Sequence, residues 1–212
     1  MNYIYNSVTA CFSLQDHLGE NELQGMLDRI EIFGCKPVGK PICNEEIWVE
    51  QELEWSLSGI KYAARFRQAY FRNADCSIFT FALDSAIFLP RDKIVYSPIG
   101  DPKFLIFKDI LSQLIIDLKP TIGVIDYEAD LICSELKTEF KGTIASWGNY
   151  FPIKWIDSLT NDVKQNLLSA VDETLAIPNI GLLTFIHPLK ANQAWGCKHE
   201  RLEDIIRRYF AF

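Results

Sequence analysis

The clearest alternation of apolar and polar residues runs from Ile47 to Leu57, and it predicts a half-buried β-strand. A turn at Ser58-Gly59 follows. The next run, Ile60–Arg72, fits the period of a strand and also that of a helix, and the short turn before it favours a hairpin partner for the first strand. One face of the first strand holds Ile47, Val49, Gln51, Leu53, Trp55 and Leu57, and the other holds Trp48, Glu50, Glu52, Glu54 and Ser56.

Apolar periodicity predicts further elements along the chain. Helices are expected where apolar residues recur at spacings of three and four, and strands where apolar runs are bounded by turn residues. Gly34 ends the first helix and Lys119-Pro120 ends the second. The predicted helices are Asn21–Phe33, Pro102–Leu118, Glu128–Phe140, Asp162–Val171 and Lys198–Phe210, with a short helix or turn at Pro152–Leu159. The other predicted strands are Tyr3–Leu14, Cys76–Leu83, Ala86–Leu89, Lys93–Tyr96, Ile122–Tyr127 and Gly181–His187; Thr143–Tyr150 is a strand or loop, and Cys35–Asn44 and Pro188–Cys197 are loops.

This succession of elements predicts an α+β, or mixed α/β, fold. We expect a mainly antiparallel sheet of about five or six strands flanked by helices. A chain of 212 residues is most simply one domain spanning residues 1–212. The one plausible seam, near residues 100–120, is occupied by a predicted helix.

Charge is distributed unevenly. The first 60 residues hold three bases and ten acids, and three minus ten is the whole net charge of −7; residues 61–212 hold 18 bases and 18 acids. An acidic surface repels nucleic acid and anionic membranes and attracts a basic protein. The chain also lacks a run of apolar residues long enough to span a membrane. The predicted partner is therefore a basic protein. Binding to nucleic acid or to a membrane is not expected.

Cysteine usage bears on the compartment. The six cysteines stand singly in the sequence, without C-x-x-C pairs, and the first residues lack the basic region of a signal peptide. We therefore expect a cytoplasmic protein with reduced, mostly buried thiols.

The acidic row on the predicted strand, Glu50, Glu52 and Glu54, is the first candidate site. Like charges along one strand face repel each other unless bases face them, and Arg65 and Arg67 on the hairpin partner are placed to do so. The row is then either a solvated ladder of salt bridges or a docking surface for a basic protein, with Trp48 as an anchor. Paired carboxylates for hydrolysis usually lie in a cleft with unlike surroundings.

A second candidate is a pocket near the chain's aromatic and histidine residues. Cys197 and His199 could bind a metal, or they could form a nucleophilic Cys/His pair. A zinc site needs four ligands, and no C-x-x-C or H-E-x-x-H motif is present. His187 before Pro188 also fits a structural histidine. The WGNYF segment beginning at Trp147 fits either a ligand pocket or a core corner. The pocket candidates are Trp147, Tyr150, His187, Trp195 and His199.

Three acids, Asp126, Glu128 and Asp130, follow a predicted strand. They lack the glycine of a calcium loop, and they fit a helix N-terminus whose dipole favours acids. The chain contains no G-x-G-x-x-G, P-loop or G-x-S-x-G motif. We therefore assign no catalytic residue, no metal and no cofactor, and an enzyme is less favoured than a binding protein.

Several segments of the second half resemble the immunity proteins of bacterial polymorphic toxin systems. They are a helix ending at Leu118-Lys-Pro120, Ile122–Ile125, Trp147–Phe151, Gly181–Pro188 and a closing amphipathic helix. The resemblance implies a cytoplasmic bacterial α+β protein that binds and neutralises a toxin, without catalytic residues of its own. Many toxin domains that attack nucleic acids are basic, which is compatible with an acidic binding surface.

Overall fold

The structure is a computed structural model that describes residues 7–44, 48–71, 76–89, 95–98, 100–127, 145–190 and 196–209. Its helices are α1 (Glu20–Glu31), α2 (Pro102–Leu118), α3 (Ile153–Ser158), α4 (Asn161–Ser169) and α5 (Cys197–Tyr209), with a 3-10 turn at Ser85–Ile87. Its strands are β1 (Ser7–Leu14), β2 (Cys35–Pro37), β3 (Ile42–Asn44), β4 (Trp48–Leu57), β5 (Ile60–Phe71), β6 (Cys76–Asp84), β7 (Val95–Tyr96), β8 (Ile122–Tyr127), β9 (Gly148–Pro152), β10 (Glu173–Ile177), β11 (Gly181–Phe185) and β12 (Leu189–Lys190).

The predicted α+β class is confirmed, but the sheet is larger than expected. Ten of the described strands form one sheet in the order β10-β11-β9-β8-β1-β6-β5-β4-β2, and β3 also pairs with β4. Every strand pair among these is antiparallel. A separate pair joins β7 to β12. The prediction of five or six strands missed the short strands, which contain too few residues to show a period.

Strand β1 lies in the middle of the sheet. It pairs with β6 on one side, with Phe12 opposite Phe79, and with β8 on the other, with Phe12 opposite Gly123. A Cβ on Gly123 would stand 2.5 Å from the Phe12 ring. The glycine therefore leaves the space that this ring fills.

Helices cover both faces of the sheet. One core joins Phe12, Trp55 and Phe81 to apolar residues of α1 and α2, such as Ile30 and Phe107. The other core lies on the opposite face and joins strand residues to α4 and α5. Its members include Cys11, Val124, Phe151, Val163, Leu167, Leu202 and Ile206. These helices lie over the β8–β9–β11 half of the sheet.

The hairpin of β4 and β5 settles the ambiguous segment. Residues Ile60–Phe71 form a strand, with Trp55 opposite Tyr62 and Leu57 opposite Ile60. Ser58 and Gly59 turn the chain with positive φ. The predicted hairpin is therefore confirmed over the residues that the structure describes.

Helix α1 ends two residues before its predicted end, and Gly34 has a φ of +88°. Its N–H donates to the Glu31 carbonyl, and its own carbonyl accepts from the Ser56 N–H at 3.0 Å. The indole Nε1 of Trp55 donates to the Phe33 carbonyl at 2.9 Å. This turn fixes the end of α1 against β4.

Other predicted elements have mixed outcomes. Helix α2 has the predicted bounds, and Asp101 caps it by accepting from the Lys103 N–H at 2.9 Å. The predicted strand at Ala86–Leu89 is wrong, because Ser85–Ile87 forms a 3-10 turn. The predicted loops at 35–44 and 188–197 contain β2, β3 and β12. The helix predicted at Glu128–Phe140 lies outside the described residues.

The cysteine prediction is wrong for Cys11, which is disulfide-bonded. Cys35 is a free, buried thiol, and desolvation raises its pKa to about 12. Cys43 and Cys197 are free but exposed rather than buried. In the described part of the chain, no helix has the length and apolar character needed to cross a membrane.

Candidate functional site

Six charged residues share one face of the β4–β5 hairpin, and we call this set the charged strand face. The alternation of β4 buries Gln51, Leu53 and Trp55 toward α1 and α2, so the glutamates point to the opposite side. The hairpin register places Glu50 opposite Arg67 and Glu52 opposite Arg65. The members of the charged strand face are Glu50, Glu52, Glu54, Lys61, Arg65 and Arg67.

Bases neutralise much of the acidic row. Arg67 donates to Glu50 Oε2 from Nε at 3.1 Å and from Nη2 at 3.0 Å. Arg65 Nη1 lies 3.8 Å from the other oxygen of Glu50, and Lys61 Nζ lies 2.9 Å from Glu54 Oε1. Among the described residues, Glu52 has no ion-pair partner within 4.0 Å. The predicted bases do face the row, and Glu52 is the member for which the described part of the chain supplies no such partner. The side chain of Trp48 lies outside the described residues.

A second acidic surface lies beside α1, and the sequence argument did not single it out. Asp16, Glu20, Glu22 and Asp28 are exposed, and none of them forms an ion pair with another described residue. The nearby base Arg29 is held by Asp117 of α2, Nε to Oδ2, at 2.9 Å. We call these four acids the α1 acidic surface. The signal for it was present in the polar positions of the predicted helix, which hold acids and few bases.

His187 lies at the centre of a polar cluster formed by three elements. The sequence IHPL follows β11, and the His187–Pro188 peptide bond is cis. His187 Nε2 lies 3.1 Å from Glu173 Oε2 of β10, and Lys108 of α2 bonds the other oxygen of Glu173. Trp147 Nε1 donates to His187 Nδ1 at 3.3 Å. We call Lys108, Asp172, Glu173, His187 and Lys198 the His187 cluster.

These contacts favour one tautomer of the His187 ring. Nδ1 accepts the indole N–H of Trp147, so the ring proton must reside on Nε2, which donates to Glu173. Both nitrogens are then engaged, and the side chain is only 12% exposed. An imidazole in this state has no nitrogen left to act as a general base. The geometry is that of a structural histidine.

The carboxylates of the His187 cluster are stabilised as anions. Burial pushes the pKa of Asp172 upward, but hydrogen bonds from Lys198 and from the His187 N–H outweigh burial and lower it. For Glu173, burial also raises the pKa, but the hydrogen bonds from Lys108 and His187 outweigh burial, so the pKa is lowered. The cluster therefore connects α2, β10 and α5 through two ion pairs, Lys108 with Glu173 and Lys198 with Asp172.

His199 lies within electrostatic range of this cluster. Burial and the positive charge of Lys190 lower its pKa, against the attraction of Asp172. The Gly196 N–H donates to His199 Nδ1 at 3.4 Å. Trp147 thus contacts His187 directly, and His199 is connected to the same cluster through the charge of Asp172; the pocket itself stays a prediction.

Of the other two predicted pocket residues, the structure describes only Tyr150, and it does not place Tyr150 in this region. Tyr150 is buried on β9, and its hydroxyl donates to the Ile180 carbonyl at 3.0 Å, in the turn between β10 and β11. Burial raises its pKa to about 12. Trp195 lies outside the described residues.

Asp126 near the end of β8 accepts hydrogen bonds from two backbone N–H groups. Its Oδ2 accepts from the Trp147 N–H at 3.0 Å and its Oδ1 from the Tyr127 N–H at 2.7 Å. Burial raises the pKa of Asp126 to about 6, against the lowering effect of these two hydrogen bonds. Asp126 thus anchors the aromatic corner at Trp147. The neighbouring Glu128 and Asp130 lie outside the described residues.

Metal binding by the described side chains is not indicated. Across the described ranges, no group of three or more His, Cys, Asp or Glu residues is arranged to hold an ion. His187 and His199 are each engaged by protein groups, and Cys197 is exposed.

Comparisons with known proteins give no family. No protein-family model matches the sequence, and no curated protein matches it significantly.

Proposed function

We propose that this protein is a non-enzymatic protein-binding module whose partner is a basic protein. Its most concrete form is a bacterial immunity protein that neutralises a basic toxin. One observation carries the proposal: several of the acids that give the chain its net charge are accessible at the surface and have no ion-pair partner among the described residues. These are the four acids of the α1 acidic surface, with Glu52 of the charged strand face.

The charge balance supports a basic partner. Residues 61–212 sum to zero, so the net negative charge comes from the first 60 residues. The field of such a charge raises the association rate of a basic protein and is screened by salt. The complex is therefore expected to form faster at low salt.

The charged strand face contributes in a more selective way. Glu50 already forms ion pairs with Arg65 and Arg67, so a basic partner would gain little binding energy from contacting it. Glu52 has no ion-pair partner among the described residues, and Glu54 is paired with an exposed lysine that a partner could displace. We assign partner contact on this face to Glu52 and Glu54, with Trp48 as the proposed apolar anchor.

The experiment is an affinity pull-down from the native host at low salt, followed by rate measurements with the retained protein. Three variants serve as baits: Glu52→Lys, the pair Asp16→Lys and Asp28→Lys, and Asp157→Lys. Asp157 is an exposed acid of α3, on the far half of the sheet, and is the matched control.

The proposal expects a basic protein whose association rate falls several-fold with salt and with at least one of the first two variants, but not with Asp157→Lys. The proposal fails if nothing basic is retained. It also fails if all three variants associate at the wild-type rate.

A second candidate is a small-ligand-binding protein or hydrolase-like enzyme with its pocket near Trp147, His187, Trp195 and His199. The convergence of two lysines, two carboxylates and two histidines in this region favours it. The engagement of both His187 nitrogens weakens the enzymatic form. A ligand that raises the melting temperature of the wild type, but not of His199→Ala, would support this candidate over the first.

A further inference from the structure

Among the strands that the structure describes, β10 is one edge of the large sheet. Its neighbour within the described residues is β11 on one side, and the order of strands ends there. The opposite edge differs, because the short strands β2 and β3 lie along β4 and bring Pro37 and Pro41 with them. Proline and short strands protect an edge from further pairing.

The hydrogen-bond phase of β11 shows which groups of β10 point outward. Ile186 N donates to Trp147 O and Ile153 N donates to Ile180 O, so the even-numbered residues of β11 bond β9. Its odd-numbered residues bond β10, where Leu183 pairs with Leu175. The N–H and C=O groups of Thr174 and Ala176 must then point away from β11.

The side chains of this edge offer no barrier to a further strand. Thr174 and Ala176 are small and exposed, and neither lysine nor proline lies within Glu173–Ile177. The one charged residue, Glu173, is bonded by Lys108 and His187, so its charge is compensated within the protein. Sheet edges that are protected from pairing with another strand usually carry an unpaired charged side chain.

We propose that β10 is a dimerisation edge, at which a second copy of this chain adds its own β10 in antiparallel orientation. The two-fold axis passes beside Leu175, so that Thr174 lies opposite Ala176 of the second copy. Each such pair exchanges both backbone N–H···O bonds, because both residues present outward-pointing groups. The large sheet continues from one copy into the next.

A second copy suits this edge better than an unrelated strand. Thr174 and Ala176 are equally distant from Leu175, so the outward groups are self-complementary about that residue. The axis also places Glu173 opposite Ile177 of the second copy, so no like charges meet. A strongly charged peptide would find no uncompensated charge on β10, and two-fold pairing closes without leaving a further copy of the same edge.

The test compares the mass of the full chain over a range of concentrations by light scattering and sedimentation. Ala176→Pro removes an outward N–H and leaves the bonds to β11 in place, since the N–H of Ala176 is not among them. Thr174→Lys adds an edge charge and covers the case in which the proline variant fails to fold. Thr174→Ser is the matched control.

The expected result is a species of twice the monomer mass that forms as concentration rises, for the wild type and Thr174→Ser. Both edge variants should lose it while keeping the wild-type circular dichroism. Amide exchange at Thr174 and Ala176 should slow on dimer formation. A wild type that stays monomeric, or a dimer that persists in both edge variants, overturns the proposal. Its outcome is independent of the proposed basic partner.

Discussion

Arg67 holds Glu50 across the hairpin by donating Nε and Nη2 to one carboxylate oxygen, at 3.1 and 3.0 Å. Glu50 keeps only 13% of its side-chain exposure, although it stands on the face that α1 and α2 do not cover. Glu50 is therefore fixed by ion pairs within the protein rather than freely solvated.

The first prediction concerns this pair. Glu50→Gln should destabilise the protein by about 1 kcal/mol, because Arg65 and Arg67 then face each other without their shared anion. A double-mutant cycle with Arg67→Gln, measured by urea unfolding, should give a coupling that shrinks with added salt. A coupling of zero at low salt would show that the pair contributes nothing to stability.

The second prediction concerns Gly34. A Cβ at this position would lie 2.6 Å from the Ser56 carbonyl, and the φ of +88° is itself strained for any other residue. Gly34→Ala should cost about 1–3 kcal/mol in the free energy of unfolding. Gly39→Ala is the control, because it also has positive φ but would meet nothing within 4 Å. Equal losses in the two variants would remove the steric part of the argument.

The third prediction concerns pH and Asp126. Its folded-state pKa, about 6, lies above the ordinary value of 3.8, so the folded protein binds more protons than the unfolded chain between those values. Its contribution should therefore make the free energy of unfolding fall as pH rises through this window, by about 3 kcal/mol at most. Asp126→Asn should flatten that part of the profile, measured by urea unfolding at a series of pH values.

Asp172 and Glu173 give the opposite dependence at lower pH. Their folded-state pKa values are lowered, so the stability they contribute is present above their ordinary pKa values of 3.8 and 4.5 and is lost as pH falls below them. The two effects can be separated by repeating the pH series with Asp126→Asn. If that variant kept the full wild-type slope between about pH 4 and pH 6, Asp126 would not be its source.

The fourth prediction concerns the bond between Lys108 and Glu173. Lys108 keeps 13% of its side-chain exposure, so losing its anion leaves a largely buried ammonium group. Glu173→Gln should cost about 1–3 kcal/mol. The double variant Glu173→Gln with Lys108→Met should recover part of that loss, because no charge is then buried. Thermal unfolding would measure both, and the absence of any recovery would contradict the argument.

Part of this fold follows from local pattern. The β4–β5 hairpin is predictable because burial on one face imposes a period of two over a long run, and the Ser58-Gly59 turn sets its register. That register in turn placed Arg65 and Arg67 opposite the glutamates. Helix α2 is predictable for a similar reason, since its apolar residues recur over its full length.

The remainder depends on distant neighbours. Strands β2 and β3 lie in a segment dominated by prolines and glycine, and they are strands only because β4 offers hydrogen-bond partners. The His187 cluster contains residues from separate elements, among them Lys108, Glu173 and His187. No regular spacing in the sequence therefore predicts it. The α1 acidic surface was partly predictable, because two of its four acids, Glu22 and Asp28, lie at polar positions of the predicted helix Asn21–Phe33.

The place of β1 between β6 and β8 also governs the order in which the molecule can be assembled. Its eight residues, mostly buried, must wait for a partner that begins at residue 76 and another that begins at residue 122. The β4–β5–β6 and β9–β11–β10 segments can each close locally, but they join into one sheet only when β1 docks between them. Closing such long loops costs entropy before any contact compensates for it, so docking of β1 is the expected slow step of folding. A nascent chain would leave the apolar residues of this strand exposed until residues 122–127 had been synthesised.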